Sequence, residues 1–93
     1  MKALAKEEII TKMETLEGWE YQENALHTSL EFATFKDAIS MMTRIAFEVE
    51  KLDHHPDWTN IYNALHISLY THDAEGVTEK DFELANVINE IVY

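Results

Sequence analysis

A chain of 93 residues with no cysteine and a formal net charge of −11 is excluded from several classes at once. Seven Lys and Arg against eighteen Asp and Glu are too few cations to grip a nucleic-acid backbone or an anionic membrane, and without cysteine there are no disulfides and no thiolate chemistry. The 46% hydrophobic share, with four Phe, four Tyr and two Trp, is enough to build one core, and one domain over residues 1–93 is expected.

The opening MKALAKEEIITKM carries acidic residues where a secretory signal needs an apolar run, and no segment approaches membrane-spanning length. A cytoplasmic protein is the expectation. Residues 3–16 read as a helix, with Ile9, Met13 and Leu16 on one face and Gly18 as its stop. The period then changes. Leu26, Thr28, Leu30 and Phe32 alternate with His27, Ser29 and Glu31, as a half-buried strand requires, and Glu23-Asn24 separates this strand from WEYQ in a hairpin.

Thr34 and Asp37 have the spacing of a helix start. Phe35, Ile39, Met42, Ala46 and Val49 then trace an apolar face, widened by Ile45 and Leu52, so a long helix is predicted with that face inward. Pro56 closes the run, because proline has no backbone donor and forces the residue before it out of helical geometry. Two further strands follow, over 58–63 and 65–71. Leu65, Ile67 and Leu69 share one face of the second, and His66, Ser68, Tyr70 and His72 share the other if the strand lasts to its end. Thr78 and Asp81 start a last helix whose apolar side is Phe82, Ala85, Ile88 and Val92. The predicted fold is α+β, a four-stranded antiparallel sheet with three helices packed on one face.

The chemistry gathers at LDHHPDW, residues 52–58. Histidine suits proton transfer near neutral pH, and His54, His55 and His72 all stand at the ends of elements, where side chains can converge on a cleft. Neighbours at 54 and 55 must point in different directions. Asp81 serves equally well as a helix cap or as a catalytic carboxylate, and Glu50 as a solvated helix residue or as the group that orients an imidazole. Trp58 and Tyr70 suit either a planar ligand or packing. His27 and His66 have no obvious chemical partner in the sequence. The three histidines with an aspartate could also ligate a metal, but no compact zinc signature is present and adjacent ligands on one ion are awkward, so no metal is assigned.

The ordered run Glu50, His54, His55, Pro56, Trp58, Thr71, His72, Gly76, Thr78, Asp81, Leu84, Ala85 resembles the pterin-4a-carbinolamine dehydratase family. The likeness extends over about residues 18–92. It implies dehydration of a 4a-hydroxytetrahydropterin to the quinonoid dihydropterin in tetrahydropterin recycling, with no metal or organic cofactor. It further implies His54, His55 and His72 as catalytic residues and Glu50, Pro56, Trp58, Thr71 and Asp81 as substrate-binding ones. Assembly into a homodimer or homotetramer is also implied, with a pterin as the small-molecule partner and without direct nucleic-acid or membrane binding. A non-catalytic dimerisation module of the same fold is the alternative. One departure is visible: THDAEG places Glu75 where bacterial relatives commonly have glycine, a residue that tolerates backbone angles glutamate resists.

Overall fold

The computed structural model describes residues 2–93. Its elements run α1 (Lys6–Met13), β1 (Glu20–Gln22), β2 (Ala25–Glu31), α2 (Phe35–Leu52), β3 (Asp57–Ile61), β4 (Ala64–Leu69), a one-turn 3-10 helix (His72–Ala74) and α3 (Glu79–Val92). The strands form one antiparallel sheet in the order β1-β2-β4-β3. The predicted α+β class, element order and hairpins are those observed.

The sheet has one covered face. Leu26, Thr28 and Leu30 of β2 and Leu65, Ile67 and Leu69 of β4 are buried under the helices, joined in the core by Ile9, Ile45, Val49, Phe82, Leu84 and Ile88. The alternate residues His27, Ser29, Glu31, His66 and Ser68 lie on the other face. Glu23 and Asn24 both take positive φ, 50° and 61°, as a two-residue hairpin turn between Gln22 and Ala25 requires.

Two expectations are corrected. The first helix is shorter than 3–16 at both ends: the Leu4 N–H is committed to the Val77 carbonyl at 2.8 Å with the chain extended at Ala5, and beyond Met13 the chain continues in turns, so Gly18 is not its stop. In α2 the inward residues are Ala38, Ile45 and Val49, while Phe35 and Ile39 are exposed and Met42 and Ala46 only half-buried. Ile45 and Val49 of the expected face are buried and Met42 and Leu52 pack against the core, whereas Phe35 and Ile39 of that face stay outside and Ala38, which is not on it, goes in. Its start is as predicted, with the Asp37 N–H donating to Thr34 Oγ1 at 3.1 Å. Among the described residues no helix is long and apolar enough to cross a membrane.

Candidate active site

α2 stops at Leu52, four residues before Pro56, by a left-handed closure. Asp53 takes φ 52° and ψ 42°, its N–H donates to the Glu50 carbonyl at 3.3 Å, and the His54 N–H donates to the Val49 carbonyl at 3.4 Å. That is the Schellman pattern, which satisfies the last helical carbonyls and turns the chain sharply. His54 and His55 follow directly on the turn, and they leave in different directions.

His54 goes inward. Its side chain is 11% exposed, and its Nε2–H donates to Oδ1 of a fully buried Asp81 at 2.5 Å. The second carboxylate oxygen, Oδ2, accepts from the Thr71 hydroxyl at 2.7 Å and from the Thr78 N–H at 2.9 Å. Thr71 and Thr78 also join hydroxyl to hydroxyl at 2.9 Å. Asp81 is thus both the helix cap and the partner of His54, and the two readings of the sequence do not compete. Its place in the first turn of α3, where the helix dipole favours negative charge, suits a buried carboxylate.

His55 goes outward. Its Nε2–H donates to Glu50 Oε2 at 2.8 Å, with both side chains well exposed. A carboxylate only accepts, so His55 carries its proton on Nε2 and, when neutral, presents a lone pair at Nδ1. His72 comes from the turn after β4. The turn that carries it is closed by the Thr71 N–H donating to the Gly76 carbonyl at 3.0 Å and pinned by the Asn24 amide donating to the Glu75 carbonyl at 3.0 Å. Glu75 takes φ 55° there, so the departure THDAEG falls on a left-handed position, where any side chain costs about 1–2 kcal/mol relative to glycine. The His72 ring meets Tyr70 edge-on, with centroids 5.1 Å apart.

His55 and His72 line one cavity of about 450 Å³, together with Pro56, Asp57, Ser68, Tyr70, Ala25, Glu23 and His27. Of the residues singled out in the sequence, His55, His72 and Pro56 therefore meet in one concavity, and Glu50 reaches it through His55. His54, Thr71 and Asp81 lie together in the buried network instead. Trp58 does not line the cavity. It pairs with Ile67 on the covered side of the sheet and packs against the core, because its strand register puts it there. Ser68, His27 and Glu23 were missed as lining residues. Alternation had placed His27 and Ser68 on outer faces, but only the register His27↔Ser68 reveals that they are neighbours.

With this geometry in view, the sequence model of the family described as pterin 4 alpha carbinolamine dehydratase matches residues 2–91. The chain belongs to that family. A Christiangramia forsetii protein named "Putative pterin-4-alpha-carbinolamine dehydratase" is 54% identical over 92 residues, covering 99% of this chain and 95% of that protein. A Burkholderia pseudomallei protein of the same name is 42% identical over 90 residues, covering 95% of this chain and 89% of that one. The crystal structure of a Brucella melitensis protein described as "transcriptional coactivator/pterin dehydratase" superposes with a TM-score of 0.94 at 36% identity, covering 99% of this chain and all of that one. Family membership and the fold agree over nearly the whole length.

Proposed function

We propose that the chain dehydrates a 4a-hydroxytetrahydropterin to the quinonoid dihydropterin and water, as a step of tetrahydropterin recycling. The observation that carries this reading is that His55 and His72 line one cavity, with the aromatic ring of Tyr70 beside them to suit a planar ligand. In the reaction the C4a–O bond breaks and the hydroxyl leaves as water, taking a proton from one imidazole. The N5–H proton passes to the other imidazole, and its electron pair forms the C4a=N5 double bond. His55 is the base in this scheme, since Glu50 stands at 2.8 Å to stabilise the imidazolium that forms. His72 is the acid. His54, held by Asp81, positions the segment that carries His55, and Thr71 acts through the same carboxylate.

The family and the names of the relatives support the same activity. One core cluster draws on all three helices and the sheet, which supports reading the chain as a single domain. The exposed Phe35, Ile39 and Phe47 of α2 support assembly of copies through that helix, and sedimentation at micromolar concentration checks it: a clean monomer would overturn it. The same exposed residues, with the coactivator wording of the Brucella melitensis structure, favour a second reading as a protein-binding module.

The deciding experiment is the initial rate of dehydration above the buffer background, measured on protein freed of metal by chelation. Wild type accelerates the reaction, and the H55A/H72A double variant loses about 10²- to 10⁴-fold while keeping its fold. Wild-type turnover in the double variant overturns the residue roles. No rate above background with any pterin removes the catalytic reading and leaves the binding module.

A further inference from the structure

His27 and His66 stand apart from the three histidines of the family motif. They project from the uncovered face of the sheet, on β2 and β4, where the register His27↔Ser68 and Ser29↔His66 makes them diagonal neighbours. Their rings are 5.5 Å apart between centroids, inclined by 28°, and His27 Nδ1 faces His66 Nε2 at 3.4 Å.

The far side of each ring is tied to the protein. His27 Nε2–H donates to the Gln22 carbonyl at 3.0 Å, which fixes its tautomer and leaves Nδ1 as a lone pair aimed at His66. His66 Nδ1 meets the Ser29 hydroxyl at 3.0 Å, and when it donates there, Nε2 is the second lone pair. Two nitrogens bound to one tetrahedral ion at about 2.0–2.1 Å are separated by about 3.4 Å, so the rings already hold the ligand–ligand spacing. Outer hydrogen bonds to a carbonyl and a hydroxyl are the arrangement that orients histidine ligands in metal sites. Both rings line a cavity of about 610 Å³ open to solvent, and Glu20, the cross-strand neighbour of His27, lines it too.

We propose that His27 and His66 form a two-histidine site for a borderline divalent transition ion such as Zn²⁺ or Cu²⁺. Among the described residues no group of three or more His, Cys, Asp or Glu converges to hold a metal. The remaining positions therefore belong to water, with the Glu20 carboxylate as a nearby counter-charge. Imidazole selects zinc, copper and nickel over magnesium and calcium, and copper binds most tightly in the series. His27 also lines the cavity shared by His55 and His72, so the two cavities meet at its ring.

The test is calorimetric titration of chelator-treated full-length protein with ZnCl₂ and, separately, CuCl₂, alongside the copper EPR spectrum. Wild type is expected to take up one ion per chain, with MgCl₂ giving no heat. H27A and H66A each weaken binding by about tenfold or more, and H27Q does the same with polarity retained. H55A/H72A binds like wild type, and the copper spectrum carries coupling to two nitrogens. Equal binding by wild type and H27A/H66A overturns the site and leaves the two rings as a hydrogen-bonded pair. Loss of binding in H55A/H72A with retention in H27A/H66A also overturns it, by moving the ion to the other cavity.

Discussion

Two histidine–carboxylate pairs begin from adjacent residues and end at opposite extremes of burial. His54 with Asp81 has side chains 11% and 0% exposed, while His55 with Glu50 has 59% and 75%. The contacts look alike, at 2.5 and 2.8 Å, but their physical meaning differs. The buried pair has lost its water, so every lone pair of Asp81 must be answered by protein, as Thr71 and Thr78 do. The exposed pair keeps its water, is screened, and adds only about 0–1 kcal/mol to stability. What it offers is an imidazole open to solvent. The turn at Asp53 thus separates a buried pair from an exposed one within two residues.

The comparison is broken most forcefully at Asp81. Asp81→Ala leaves the Thr78 N–H, the Thr71 hydroxyl and His54 without their shared acceptor, and each buried group left unsatisfied costs about 1–3 kcal/mol. Small domains hold only about 5–15 kcal/mol, so the loss is a large share of the whole. Urea denaturation of Asp81→Ala and the isosteric Asp81→Asn measures it, with the smaller loss expected for Asn, which retains an acceptor oxygen. A shift below about 1 kcal/mol for Asp81→Ala would mean that the pair is no scaffold.

Thr71→Val sharpens the same side of the comparison with a smaller cut. The shape is kept and one buried hydroxyl is removed, so about 1–3 kcal/mol of stability should go. Because Thr71 meets His54 only through Asp81, turnover per folded molecule should fall far less than in H55A/H72A. A collapse of kcat with unchanged stability would instead put Thr71 against the substrate.

The sequence made the fold legible where its causes are local. Alternation from Leu26 to Phe32, the cap at Thr78 and the hairpin turn at Glu23-Asn24 all depend on near neighbours, and all were readable. Non-local causes were not. Nothing near Leu4 announces that its N–H goes to Val77, and nothing near Phe35 says that the edge of its apolar face carrying Phe35 and Ile39 stays exposed while Ile45 and Val49 are buried. The site divides in the same way. That His54 and His55 diverge followed from adjacency, but which ring turned inward depended on Asp81, 27 residues later. The residue type of Trp58 suits a ligand or packing equally, the resemblance implies the ligand, and its register with Ile67 turns it to the core side.

The smallest expected effect tests the exposed pair directly. Glu50→Gln keeps an oxygen that can accept from His55 Nε2–H, so the tautomer with a free Nδ1 survives while the charge is lost. Stability should move by less than about 0.5 kcal/mol, as for surface changes generally. The effect on turnover follows from the proton's path. If His55 takes up the N5 proton as proposed, the new imidazolium faces an amide in place of a carboxylate, and an exposed, screened pair is worth about 0.2–1 kcal/mol, a loss of no more than about fivefold. That loss should sit in kcat and leave KM nearly unchanged, because the charge interaction strengthens only as the proton arrives. Glu50→Ala removes the acceptor as well, frees the ring to adopt either tautomer, and should lower kcat further at the same stability. If Glu50→Gln instead raises KM alone, Glu50 holds the substrate and does not serve His55. If either variant costs as much stability as Asp81→Ala, the two pairs are equivalent and their difference in exposure has no energetic consequence.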